Sequence, residues 1–176
     1  SEVEIVEPGC YYNFNCKTGV LKKTRFYEFP DVDYIEDMSE DEVMSGIKTL
    51  LTNAVDNELI SDVPVCTILS GGVDSTIITY LLSKQIPNLQ AFVVSMGDTG
   101  DVFAWHYKDE DYKKKRYKLI VDLHKNNLIR TNKAMMYGGT VELRTPFLDK
   151  KLVEFCMKIP PKYKKDGNMW KPMLRK

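Results

Sequence analysis

The run Val63-Pro64-Val65-Cys66-Thr67-Ile68-Leu69, followed without a gap by Ser70-Gly71-Gly72-Val73-Asp74-Ser75-Thr76, decides how this chain is read. Its first seven residues are apolar and β-rich, the pattern of a strand buried on both faces in a parallel sheet. Thr76–Gln85 then reads as a helix, Pro87-Asn88 breaks it, and Leu89–Met96 reads as a second buried strand, so the segment is a βαβ unit. The glycine turn sits between strand and helix. Glycines let the main chain turn tightly and approach a ligand, while a helix N-terminus directs unpaired N–H groups and the positive end of its dipole at an anion. A phosphate fits that cradle. Ser70, Ser75 and Thr76 add hydroxyls, and Asp74 would repel bare phosphate unless a divalent cation bridged the two, which argues for magnesium. The plainer reading is a glycine-rich turn capped by Asp74 and Ser75.

Upstream, Cys10–Cys16 and Val20–Phe29 flank Lys17-Thr18-Gly19 and read as a hairpin that Pro30 and the acidic stretch Asp31–Asp37 end. Ser39 and Glu42 have capping-box spacing, and Val43, Ile47, Leu50, Leu51, Ala54, Val55 and Leu59 continue as the apolar face of a helix. Downstream, Asp109–Met136 is largely helical, Gly138 and Gly139 stop it, and Lys150–Lys158 offers one more short helix. Two parallel strands leave both edges unpaired and cannot bury the faces of several helices, so the sheet is incomplete as read. Gly97-Asp98-Thr99-Gly100-Asp101 places two carboxylates across a turn after the second strand. Alone it is an ordinary solvated loop. Ligand sites of open parallel sheets, however, lie beyond the carboxyl ends of the strands, where both glycine loops fall.

Of the 176 residues 43% are hydrophobic and 28% charged, the balance of a globular domain with a core. The 25 basic and 25 acidic side chains cancel, which argues against nucleic-acid or membrane partners. No apolar run approaches the roughly 20 residues that cross a bilayer, and Ser1-Glu2-Val3-Glu4 lacks the order of a signal peptide, so a cytoplasmic location is expected. Cys10, Cys16, Cys66 and Cys156 show no metal or redox spacing, and His106 and His124 are read as structural or surface groups. The Lys113–Lys118 run reads as a solvated helix face.

Without a GKS or GKT triplet, the Ser70–Ser75 loop differs from a Walker A loop and instead resembles the SGGxDS loop of the ATP pyrophosphatase superfamily. The stretches His124–Arg130, Glu142–Asp149 (continuing to Phe155) and Lys171-Pro172-Met173-Leu174-Arg175 resemble those of asparagine synthetases, and Gly97–Asp101 is similar to that family's GDGGD or GEGSD loop. The hairpin, with Glu7-Pro8-Gly9, is similar to the closing segment of the family's glutaminase domain. This resemblance implies an α/β, parallel-sheet ATP pyrophosphatase domain (adenine nucleotide α-hydrolase-like) with extra helices at 37–176. A β-hairpin and linker from a glutaminase-like domain would precede it at 1–36, and a long segment would be missing near 97. The glutaminase nucleophile would be an N-terminal cysteine; the chain begins with serine, so no glutaminase activity is assigned to it. The family's lysine near the reacting phosphate would lie beyond Lys176.

The resemblance further implies an enzyme that uses ATP and Mg2+ to adenylate the side-chain carboxylate of aspartate, releases pyrophosphate, and amidates the product with ammonia. Glutamine would be the source if a full N-terminal domain precedes the chain. Leu69 and Val94 would border the nucleotide, Gly97 would join its pocket, and Ser70, Gly71, Gly72, Asp74 and Ser75 would hold phosphates. Asp74 and Asp101 would ligate magnesium, Asp98 would stand beside the α-phosphate, and Asp98 and Asp74 would be the catalytic pair. Arg144 and Asp149 would be pocket groups, supports behind the pocket, or a buried structural pair. The implied partners are small molecules, with a homodimer as the candidate assembly. The alternatives are a β-lactam or carbapenam synthetase-like ligase, and a catalytically silent relative serving as a binding subunit.

Overall fold

A computed structural model describes residues 3–93, 129–166 and 169–176. The chain divides into two compact units, Ser1–Val32 and Asp33–Lys176. The first is built on an antiparallel hairpin of β1 (Cys10–Phe14) and β2 (Leu21–Arg25), with Cys10 opposite Arg25 and Phe14 opposite Leu21. Its turn is made by Asn15, whose side-chain oxygen accepts the Lys17 and Thr18 N–H groups at 2.9 and 3.2 Å. Phe14, Leu21 and Phe26 are exposed, as a lone two-stranded hairpin has little to bury them against.

The second unit is organised on α1 (Glu40–Asn57). The Glu42 N–H donates to Ser39 Oγ at 3.3 Å, and the Glu42 carboxylate accepts the Ser39 N–H at 2.8 Å and its hydroxyl at 2.7 Å. This capping box satisfies two of the N–H groups that a helix start leaves unpaired. Val43, Leu51, Ala54 and Val55 are buried along one stripe of the helix, while Leu50 and Leu59 are partly buried.

The stripe packs on α4 (Lys150–Lys158), where Leu152 and Met157 are buried. Met38, Val43 and Ile159 form a core cluster against which Ile47, Phe155, Cys156, Tyr163 and Met173 pack. The Tyr163 hydroxyl donates to the Met38 carbonyl at 2.9 Å, and burial pushes the Cys156 thiol above its ordinary pKa. At Gly46 a β-carbon would stand 2.2 Å from Phe155 Cζ. Glycine in mid-helix is costly in itself, but here it lets an aromatic ring lie against the backbone.

The βαβ unit is present as β3 (Cys66–Ile68), α2 (Val73–Ser83) and β4 (Gln90–Phe92), with β3 and β4 parallel and Thr67 opposite Ala91. Its strands are shorter than the sequence suggests, and the expectation that both faces are buried fails. Thr67 is buried, whereas Ile68 and Phe92 are 44% and 55% exposed. The reason is the strand deficit: among the described residues the parallel sheet has two strands. The inward Thr67 joins the helix through its hydroxyl, 3.2 Å from that of Thr79.

Beyond it lie α3 (Ile129–Gly139), a short antiparallel pair of β5 (Lys165–Asp166) and β6 (Met169–Trp170), and α5 (Pro172–Arg175). The expected helix over Asp109–Met136 falls outside the described residues up to 128. Its described part runs through Gly138 to Gly139 and stops at Thr140, which takes a left-handed φ of 55°; glycine is tolerated in a final turn. Among the described residues no helix is long and apolar enough to cross a membrane.

Two outcomes follow from the packing of α1. Gly46→Ala should lower stability in urea unfolding by about 1–3 kcal/mol through overpacking against Phe155, reversing the gain of about 1 kcal/mol that helix propensity alone gives. A stabilised Gly46→Ala protein would contradict the close approach. Ser39 holds the Glu42 carboxyl below its usual pKa, first through the backbone bond and then through the hydroxyl. A carboxylate shifted this way adds stability above its unfolded pKa of about 4.3 and loses it as pH falls through the lower folded value. Glu42→Gln should therefore lower the melting temperature at neutral pH, with the difference closing in acid; a pH-independent difference would remove the charge from the explanation.

Candidate functional site

The glycine loop lies at the carboxyl end of β3 and runs into α2. Gly71 takes a φ of +78°, a region that a β-carbon disfavours, and nothing lies within 4 Å of where that carbon would be. Conformation, not crowding, calls for glycine here. Gly72 is the N-cap of α2, in extended conformation and with no side-chain cap. The first bond of the helix runs from the Thr76 N–H to the Gly72 carbonyl at 3.0 Å. The N–H groups of Val73, Asp74 and Ser75 therefore have no acceptor within the helix.

Hydroxyls close the loop on itself. The Ser70 N–H donates to Ser75 Oγ at 3.2 Å, the two hydroxyl oxygens stand 3.0 Å apart, and Ser75 Oγ donates to the Gly72 carbonyl at 3.1 Å. Thr76 Oγ1 donates to the same carbonyl at 2.9 Å, and Thr79 Oγ1 to the Ser75 carbonyl at 2.8 Å. The plainer reading, a turn capped by Asp74 and Ser75, does not describe this geometry. The cap position belongs to Gly72, Ser75 turns back to a carbonyl, and Asp74 points elsewhere.

Asp74 meets Lys171, whose ammonium donates to Asp74 Oδ2 across 97 residues of chain. Asp74 Oδ1 is shut off from solvent and has no hydrogen-bond partner among the described residues. Those residues contain no group of three or more His, Cys, Asp or Glu side chains able to hold a metal. Magnesium bound with phosphates needs one or two carboxylates rather than a protein cage. A carboxylate with one orphaned oxygen, already attracting a cation and carried in the first turn of a helix, fits a magnesium–phosphate ligand.

The structure thus brings Ser70, Gly71, Gly72, Asp74 and Ser75 together, with Leu69 leading into them; the Leu69 N–H donates to the Phe92 carbonyl at 2.8 Å. Val94, Gly97, Asp98 and Asp101 lie outside the described residues. Arg144 and Asp149 have other duties and do not bond to each other. Arg144 donates to the carbonyls of Glu58 and, at 2.8 Å, Ile60, holding the chain where α1 ends, and to Glu142 at 3.3 Å. Asp149 caps α4, accepting the Lys151 and Leu152 N–H groups at 2.9 and 3.1 Å.

Arg144 also lines an open cavity of about 350 Å3 with Asn57, Glu58, Ile60, Glu142, Leu143 and Thr145, apart from the glycine loop. Burial pushes the Glu58 carboxyl there above its usual pKa, against the opposing charge of Arg144. The residue that sequence reasoning passed over is Lys171. Only its place in the Lys171–Arg175 stretch marked it, and nothing in the local pattern joins it to Asp74.

A model of the asparagine synthase family matches residues 46–118 and 104–176. An asparagine synthetase (glutamine-hydrolyzing) 2 of Bacillus subtilis is 27% identical over 158 residues, covering 88% of this chain and 19% of that protein. Asparagine synthetase B (glutamine-hydrolyzing) of Escherichia coli is 34% identical over 105 residues, 54% of this chain and 19% of that protein. A glutamine-hydrolyzing asparagine synthetase 3 of Bacillus subtilis is 51% identical over 41 residues, 23% of this chain and 7% of that protein. The chain spans about a fifth or less of the length of these relatives. The two stretches matched by the family model run together from 46 to the last residue and include the glycine loop, the Arg144 segment and Lys171: the chain belongs to the asparagine synthase family.

Proposed function

We propose that this chain is the ATP-using part of an asparagine synthetase, built as an ATP pyrophosphatase domain and preceded by the hairpin of a glutaminase-like domain. The observation that carries the reading is the loop itself. Gly71 is in a left-handed turn, three N–H groups of α2 have no acceptor within the helix, and Asp74 is free of capping duty at the carboxyl end of a parallel strand. Membership in the family supports the substrate assignment, as do the names of the relatives.

In the proposed reaction the side-chain carboxylate of aspartate attacks the α-phosphorus of ATP, the bond to the β-phosphate breaks, and pyrophosphate leaves. Ammonia then attacks the acyl carbon, AMP departs, and the amide nitrogen loses a proton. Glutamine supplies the ammonia where a full N-terminal domain is present. Magnesium, when bound, neutralises phosphate charge.

The chain's own residues position and stabilise, which is most of what such chemistry asks of a protein. The loop of Ser70, Gly71, Gly72, Asp74 and Ser75 holds the phosphates, with the N–H groups at the start of α2 as donors, and Asp74 would hold the metal. In the same proposal Leu69, Val94 and Gly97 line the nucleotide pocket, Asp101 is the second metal ligand, and Asp98 stands beside the α-phosphate.

With aspartate and magnesium present, the intact protein should exchange labelled pyrophosphate into ATP. Splitting of ATP to ADP and phosphate alone would overturn the reading. Asp74→Asn keeps the shape of the side chain and removes its charge. It should lower exchange by about 100-fold or more. It should cost under about 1 kcal/mol in stability, since its ion pair with Lys171 is half exposed. Near wild-type exchange in that variant would leave Asp74 without a role in the chemistry.

A further inference from the structure

Lys171 is unusual in how firmly its neighbours hold it. It takes left-handed backbone angles, φ 57° and ψ 50°, which a residue with a β-carbon adopts unwillingly. The segment that follows it is fastened to the second unit. Pro172 is buried, Met173 packs on the core cluster beside Val43 and Ile159, and the last residue, Lys176, pairs with Glu40 of α1. From this anchored segment the lysine stem reaches the glycine loop and the ammonium stands on Asp74 Oδ2.

The two oxygens of Asp74 are treated unequally: Oδ2 has the lysine, while Oδ1 is closed to solvent without a partner among the described residues. A divalent ion taking this carboxylate would meet an ammonium already on it. With Oδ1 closed to solvent, the oxygen open to an arriving metal is Oδ2, which the ammonium holds, so the two cations compete for it. The lysine and aspartate side chains are 52% and 43% exposed, so solvent screens their attraction. The pair is weak enough to yield to a divalent ion.

We propose that Lys171 is a positioning residue for Asp74, an internal counter-cation that holds the carboxylate when no metal is bound and gives it up to a divalent ion. The inference rests on the reading of Asp74 as a metal ligand. It assigns the Lys171–Arg175 stretch a task that the reading of the loop leaves unassigned. It also explains why a residue with a β-carbon is kept in a left-handed conformation: a glycine there would relieve the backbone and lose the cation.

The test is a titration of the full chain with Mn2+ alone, without nucleotide, following free Mn2+ by electron paramagnetic resonance at low ionic strength. Lys171→Met should tighten Mn2+ binding about two- to fivefold, and the gain should shrink in high salt as the competing pair is screened. Lys171→Arg retains the charge and should bind Mn2+ as the wild type does. On an Asp74→Asn background Lys171→Met should gain nothing. Lys171→Gln, which keeps a polar stem, repeats the measurement if the Met variant is poorly folded, with urea unfolding checked for each.

A lysine that served the fold alone would lower the unfolding midpoint without tightening the metal. Unchanged or weaker Mn2+ binding in Lys171→Met, with binding lost in Asp74→Asn, overturns the role of Lys171 and leaves the metal reading standing. Mn2+ binding unchanged by Asp74→Asn overturns both.

Discussion

Gly46 allows the Phe155 ring to lie against the backbone of α1, and the α1–α4 seam at the core of the second unit is built on that approach. With the two helices this close, Val43 is fully buried, and Met38 and Ile159 close around it. Both ends of the helix are then secured by polar groups rather than by apolar burial. Ser39 and Glu42 satisfy the start, and Arg144 holds the carbonyls of Glu58 and Ile60 at the finish. Apolar contacts have no direction, so hydrogen bonds of this kind set where the helix begins and where the chain leaves it.

The same core carries charge to the glycine loop. Met173 packs beside the α1–α4 seam, and two residues earlier Lys171 meets Asp74. A side chain at the end of the sequence is thereby brought to a loop near its middle without belonging to the βαβ unit. The loop contributes turn geometry and N–H groups, the core contributes a cation, and Asp74 lies between them. A lone carboxylate at a helix start is attracted by the dipole of its own helix. An ammonium on one oxygen adds a direction to that attraction.

The βαβ unit shows what a parallel sheet is like with few strands. Thr67 is covered because α2 lies over it, and the facing hydroxyl of Thr79 satisfies its own. Ile68 and Phe92 remain half exposed on apolar strands. Their side chains are those of a sheet buried on both faces, which is why the sequence pattern and the observed exposure disagree. The pattern records the burial those residues are suited to, and the two described strands meet only part of it.

Much of the local structure was legible from the residues alone, because it rests on short-range rules. The hairpin, the capping box at Ser39, the stripe from Val43 to Val55 and the strand–loop–helix order around Ser70–Thr76 each need only neighbours a few residues apart. The glycine requirement at Gly71 was legible in the same way, as a turn between strand and helix. What residue pattern left open was which distant groups meet. Arg144 and Asp149, five residues apart, suggested a pair and instead serve two different helix ends. Lys171 was a basic residue before a proline until the burial of Pro172 and the packing of Met173 on the core placed its ammonium on Asp74. The sequence by itself determined the hairpin, the α1 stripe, the strand–loop–helix order of the βαβ unit and the family likeness, but not the β5–β6 pair or α5. Only the tertiary structure decided the partner of Asp74, since packing of the core, with no local signal, brings together residues 97 positions apart.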